Sequence, residues 1–163
     1  MAQVSGSSIG NGRSPYVGIT MKAGIDYIGV AVGAMIIDDK GQILLSKRSK
    51  GAKNERGRWE VPGGMVEFGE KLADAIRREI REELGVEIKI LEQLPAADHI
   101  IPQDHQHWVP TTFLCNIAGR QAPRIMEPDK CDEIGWFALT NLPQPLSIIT
   151  KIDLAWYKQK KNL

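Results

Sequence analysis

Five residues in one short span could do chemistry: Glu70, Arg78, Glu79, Glu82 and Glu83. At about 100° per residue in a helix, Glu79, Glu82 and Glu83 stand beside one another along a single edge, because positions three and four apart are neighbours. Like charges about 4 Å apart in a medium of effective dielectric about 20 repel by on the order of 4 kcal/mol per pair. A positive partner therefore belongs among them. Arg78, four residues before Glu82, can hold the carboxylates by charge-assisted hydrogen bonds. Hard oxygens at this density also suit a hard divalent cation such as Mg2+, which takes carboxylates, carbonyls, waters and phosphate oxygens in octahedral geometry. Such a cation neutralises negative charge, acidifies an attacking water and stabilises a leaving oxygen.

A helix over residues 72–84 must position this edge. Its apolar stripe, Leu72, Ala73, Ile76, Ile80 and Leu84, lies next to the glutamates, with Glu83 on the margin and Asp74, Arg77 and Arg81 on the far, solvated side. An acidic edge bordering a buried face reads as the wall of a charged cleft. Pro62-Gly63-Gly64 and Gly69 precede the helix and bring main-chain groups close to a ligand, and Gly85 ends it as a C′ glycine.

The whole stretch resembles the Nudix hydrolases. Their signature is a glycine, five residues, a glutamate, seven residues, Arg-Glu, a bulky aliphatic, any residue, Glu-Glu, any residue, a glycine and a bulky aliphatic. Gly64, Glu70, Arg78, Glu79, Ile80, Glu82, Glu83, Gly85 and Val86 fill every fixed position. The resemblance implies an α+β Nudix fold, a mixed β-sheet sandwiched between α-helices (α/β/α). It implies Glu79, Glu82 and Glu83 as metal ligands, with the Gly63 carbonyl as a further one and Glu70 in support. Arg78, Glu82 and Glu83 are then catalytic, with Mg2+ as cofactor and Mn2+ as its substitute. The family often recruits another carboxylate downstream of the signature. Glu127 is the candidate base here, with Asp132 and Glu133 as alternatives.

The reaction so implied is hydrolysis of a nucleoside diphosphate linked to another moiety. A nucleoside triphosphate, oxidised and non-standard forms included, ranks first, releasing nucleoside monophosphate and pyrophosphate. Pro102, beyond Val86, has a spacing resembling ADP-ribose pyrophosphatases, so ADP-ribose or a nucleotide sugar is the alternative, with dinucleoside polyphosphates behind. A catalytically silent Nudix binding module or an isopentenyl-diphosphate isomerase ranks lower, since the glutamates are intact and no isomerase residues stand out.

The rest of the chain frames the site. With 163 residues and 42% hydrophobic content it can build one sizeable core. A net charge of +1 offers no broad nucleic-acid or membrane surface. Cys115 and Cys131 are too few for a disulfide framework and lack metal-ligand spacing, which points to a reduced, cytoplasmic protein. Residues 1–24, rich in Gly and Ser, read as a flexible or loosely docked arm, and residues 25–163 as the single catalytic domain. That arm and the strand at residues 27–37 offer surfaces for a homodimer.

Residues 27–37 and 42–46, joined by Asp38-Asp39-Lys40-Gly41, read as a hairpin. A basic loop follows at residues 47–58, where Arg48 is the candidate for phosphate oxygens. Residues 59–61 form a short strand with Trp59 in the core. Further strands are expected at residues 86–94, 98–101, 111–118 and 134–139, making a mixed α/β sandwich. Residues 102–108 read as a polar loop in which His105, His107 and Trp108 are weak candidates for a base or sugar, and residues 127–133 as an acidic loop. Ser147 caps a last helix from residue 148 to about 160, with Ile148, Ile149, Ile152, Ala155 and Trp156 facing the sheet.

Overall fold

The computed structural model describes residues 20–162. Most of the expected N-terminal arm, residues 1–19, lies outside them. Its last residues dock: the Gly24 carbonyl accepts the His107 N–H at 2.8 Å.

Eight strands and two helices follow in the order β1 (Gly29–Ile36), β2 (Gln42–Arg48), β3 (Trp59–Glu60), β4 (Gly63–Met65), α1 (Leu72–Leu84), β5 (Ile88–Gln93), β6 (His99–Ile101), β7 (Gln106–Ile117), β8 (Cys131–Ala138) and α2 (Ile148–Lys161). They form two sheets among the described residues. One runs β4-β1-β7-β5, with β6 also paired to β7, and the other runs β3-β2-β8. Pairing of β1 with β7 is parallel while the remaining strand pairs are antiparallel, so the first sheet is mixed as expected and the second is antiparallel throughout.

The strand period of two explains why both faces are covered. Val32, Ala34 and Ile36 of β1, Leu44 of β2 and Phe113 and Cys115 of β7 turn to one core, closed by Ala75, Ile76, Ile80 and Leu84 of α1. Their neighbours Met35, Ile43, Leu45 and Leu114 turn to the other, closed by Leu154 and Tyr157 of α2. Trp59 lies in this second core, edge to face with Phe137 at a centroid distance of 5.0 Å. No described helix is long and apolar enough to cross a membrane.

The expected β1–β2 hairpin does not form. Both edges of β1 are taken, by β4 and β7, and both edges of β2 by β3 and β8, so only the bridge Ile37 to Ile43 joins them beyond the turn. Residues 102–108 are not simply a loop either. Gln106, His107 and Trp108 begin β7 and pair with Ile101, Ile100 and His99, leaving a short 3-10 turn with His105 left-handed at φ 50°. The acidic loop likewise ends earlier than expected, with Cys131, Asp132 and Glu133 already in β8.

The last helix is rotated from its expected face: Ile149, Thr150, Asp153, Leu154 and Tyr157 are buried while Ile152 is exposed. Two polar anchors account for this. Thr150 Oγ1 accepts the Val61 N–H at 2.9 Å, and Asp153 accepts from Thr112 Oγ1 at 2.7 Å. Buried donors must be satisfied, and here that requirement outweighs the apolar stripe read from the sequence.

Candidate active site

A cleft of about 340 Å³ opens where β4 leads into α1. That volume is in the range of small-molecule sites, roughly 300–1,000 Å³. Its acidic wall is Glu79 and Glu83 of α1, Glu60 of β3 and Glu127 from the loop before β8, with Gly63 and Gly64 between them. Arg48, Lys47, Lys53 and Lys130 line the same cleft.

Local structure explains how the helix edge reaches this place. Strand β4 pairs with β1, setting Gly64 across from Val32 and Gly63 across from Gly33. A Cβ on Gly64 would lie 2.3 Å from the Glu79 carboxyl carbon, so only glycine lets this carboxylate approach the strand. The Gly63 N–H donates to Glu83 Oε2 at 3.0 Å. Gly85, left-handed at φ 66°, then ends the helix with its N–H on the Arg81 carbonyl.

Arg78 is the organising cation of the edge. Its Nε and Nη2 grip both oxygens of Glu70 at 2.9 Å, and Nη2 also donates to the Met65 carbonyl at 3.0 Å. Nη1 reaches Glu79 at 2.8 Å and Glu82 at 3.1 Å. These bonds hold the Glu70 carboxyl below its ordinary value. Burial pushes Glu79 up despite Arg78. Glu83 is driven well above the usual carboxylate range, by burial first and then by the charges of Glu60 and Glu79, which the Gly63 N–H only partly offsets. Glu60 is raised by burial, although Arg48 is ion-paired with it.

This is a site short of positive charge. Its oxygen donors are carboxylates, the chemistry that hard divalent cations take. Among the described residues no three His, Cys, Asp or Glu side chains already stand as a metal cage, and Arg78 holds Glu79 and Glu82. The donor set thus fits such a cation in chemistry and charge, and Glu79 and Glu83 are the helix glutamates that face the space it would take.

The structure brings together part of the expected set. Glu79, Glu83, Gly63, Arg48, Trp108 and Glu127 all line the cleft. Glu70 and Glu82 do not; they stand on the Arg78 side, with the Glu82 side chain 53% exposed. Glu127 is clasped by Lys130 at 2.8 Å. Asp132 and Glu133 lie outside the cleft, the latter 3.9 Å from Lys47. His107 also lies away from it and, with His105, lines a second depression.

Sequence reasoning passed over Glu60, Asn54, His99 and Lys130. Glu60 carried a signal, a lone carboxylate between the apolar Trp59 and Val61. Asn54 and His99 carried none, since only folding seals residues 49–58 against β6 and β7. That segment is far from a plain solvated loop: Ser49, Ala52, Asn54 and Glu55 are buried.

Comparison with known proteins agrees with this geometry. The NUDIX domain description matches residues 28–157. The crystal structure of a MutT NUDIX hydrolase from Burkholderia pseudomallei superposes with a TM-score of 0.71 and 42% identity, covering 78% of this chain and 95% of that one. The 8-oxo-dGDP phosphatase of Danio rerio is 29% identical over 88% of this chain and 42% of its own length. An ADP-ribose pyrophosphatase of Methanocaldococcus jannaschii is 32% identical over 67% of this chain and 62% of its own. This chain thus spans less than half of the Danio rerio relative.

Proposed function

We propose, from the premise that the chain belongs to the NUDIX family, that it hydrolyses a nucleoside diphosphate linked to another moiety. A nucleoside triphosphate, oxidised forms included, is the preferred substrate, and nucleoside monophosphate and pyrophosphate are the products. Relatives named as an 8-oxo-dGDP phosphatase and an ADP-ribose pyrophosphatase support the reaction class. The observation that carries the reading is a single cleft with Glu79, Glu83, Glu60 and Glu127 on one wall and Arg48, Lys47, Lys53 and Lys130 around it.

Family members use divalent cations, and we assign Mg2+, with Mn2+ as its substitute, to Glu79, Glu83 and the Gly63 carbonyl. Bound there, the cation supplies charge neutralisation and a more acidic water. The protein's own groups do the rest. Arg78 fixes Glu79 while also holding Glu70 and Glu82, so its substitution disturbs the glutamates together. Arg48 and Lys130 have the charge and place to hold phosphate oxygens, Arg48 from its anchorage on Glu60. Glu127 accepts the proton of the attacking water. As that water bonds to phosphorus, a phosphoanhydride P–O bond breaks and the leaving phosphate carries away the electron pair.

Residues 25–163 form the catalytic unit in this reading, acting in the cytoplasm on a small nucleotide. Incubation with a nucleotide panel and Mg2+, with release of monophosphate and pyrophosphate measured against Glu83→Gln, tests the proposal. Turnover should vanish with a chelator and fall at least about a hundredfold in the variant. Absence of turnover by the unsubstituted protein across the panel would remove the hydrolase reading.

A further inference from the structure

Glu55 is a buried carboxylate that stands apart from the acidic wall of the cleft. It belongs to the connection between β2 and β3, and its side chain is 1% exposed. Taking a carboxylate out of water is costly unless new hydrogen bonds replace its hydration. Two do so here. Oε2 lies 2.9 Å from His99 Nε2 of β6, and Oε1 accepts the N–H of Ile148, the first residue of α2, at 2.9 Å. Arg58 Nε stands 3.8 Å from Oε1. Burial raises this carboxyl, but the bonds from His99 and Ile148 and the charges of His99 and Arg48 together hold it below its ordinary value. One side chain thus ties the β2–β3 connection to a strand of the other sheet and to the start of a helix.

The backbone of Glu55 is equally particular. It is left-handed at φ 42°, a conformation that residues other than glycine seldom adopt without a reason. Rotation about φ sets the preceding peptide unit relative to the side chain, so an anchored Glu55 side chain aims the Asn54 carbonyl. That carbonyl accepts from Arg48 Nε at 2.8 Å. The Asn54 side chain is itself bonded to Gln106, which places the residue but leaves the direction of its carbonyl to the next φ.

Arg48 is held at a second point, where Nη1 is ion-paired with Glu60. Two of its three guanidinium nitrogens are therefore committed, while Nη2 has no partner among the described residues. Arg48 lines the cleft with its side chain 19% exposed, which leaves Nη2 as the nitrogen for a ligand. The mouth of the connection closes by main-chain bonds alone. The Arg48 N–H donates to the Arg58 carbonyl at 2.9 Å, and the Gly57 N–H donates to the Arg48 carbonyl at 2.8 Å. What the Glu55 carboxylate adds is the aim of one carbonyl.

We propose that Glu55 is a positioning residue for phosphate binding: anchored by His99 and Ile148, it aims the Asn54 carbonyl that holds Arg48 with Nη2 free for a phosphate oxygen of the substrate. This deepens the nucleotide-hydrolase reading and rests on it. Without the anchor, Arg48 keeps its charge and its pairing with Glu60 but loses one of two fixed points. The substrate must then order the side chain itself, and affinity falls by the cost of that ordering. A phosphate contact made alike in ground state and transition state changes KM and leaves kcat alone.

Steady-state kinetics on Glu55→Gln and Glu55→Gly test this, the second variant relieving the left-handed backbone while removing the carboxylate. Both should raise KM for the triphosphate about three- to tenfold with kcat held within about twofold. A role in folding alone would instead lower the active fraction, so kcat would fall with KM unchanged. That outcome overturns the proposal, as does no change in either constant. In an Arg48→Ala background Glu55→Gln should raise KM no further, because coupled residues are not additive; a second full rise would overturn the route through Arg48. Should neither Glu55 variant fold, His99→Ala, which removes one of the two anchoring bonds, carries the same split. Calorimetric titration with the α,β-methylene analogues of ATP and GTP in Mg2+ makes the comparison without turnover. Weaker analogue binding by Glu55→Gln, in a protein that hydrolyses no nucleotide, would keep the positioning role and remove the hydrolase reading. Equal binding by the two proteins would overturn the positioning role itself.

Discussion

Replacing Asp153 with asparagine isolates the energetic cost of a charge that α2 carries into the core. Asp153 is 3% exposed, its side-chain partner is the Thr112 hydroxyl at 2.7 Å, and among the described residues no ion pair holds it. Burial pushes its carboxyl up from 3.8 to about 6, more than the Thr112 bond and the His99 charge bring it down. A folded-state value above the unfolded one means that the native protein binds this proton more tightly. The protonated acid is tolerated below about pH 4, the penalty builds as pH rises from about 4 to about 6, and it is complete above that. A shift of about 2 units at about 1.4 kcal/mol each makes the charged side chain cost roughly 3 kcal/mol at neutral pH.

Asparagine keeps an acceptor for Thr112 and removes the titration. The amide brings an N–H of its own, whose cost does not depend on pH. The stability of Asp153→Asn minus that of the unsubstituted protein should therefore climb by about 3 kcal/mol between pH 4 and pH 7 and then level. Urea unfolding followed by the fluorescence of the four tryptophans measures this at each pH. Other carboxylates titrate alike in both proteins and cancel. A difference that stays flat, or that falls as pH rises, would refute the argument.

Two further substitutions probe the site and its support. Gly64→Ala puts a methyl group where the Glu79 carboxylate lies, 2.3 Å away. It should cut kcat on the order of a hundredfold while the melting temperature changes little, because misplacing a catalytic group by about 1 Å has that effect; steady-state kinetics with thermal melts would show it. Ile80→Ala empties a fully buried position of the α1 core, and chemical denaturation should show a loss of about 2–5 kcal/mol.

Much of the architecture was legible because it is local. The span of α1, its glycine end and the Ser147 cap follow from 3.6-residue periodicity and capping chemistry acting within a few residues. The strand segments carried their own apolar signal, but pairing did not. Residues 27–37 and 42–46 look like hairpin arms, yet each strand finds both partners elsewhere in the chain. The face of α2 was misread for a related reason, since Thr150 and Asp153 turn inward to meet Val61 and Thr112, far away in sequence.

By itself the sequence determined the crowded glutamates at residues 79, 82 and 83, the arginine that must accompany them and the glycines that frame their helix. Electrostatic repulsion and backbone sterics act at short separation, so spacing reveals them. Only the tertiary structure decided which glutamates face the cleft and which face Arg78. It alone brought Glu60, Glu127 and Lys130 to that cleft and gave Asn54 and His99 their orientation through Trp108, Gln106 and Glu55. Hydrogen-bond polarity travels through contacts between residues distant in the chain, and those contacts exist only once the sheets have closed around them.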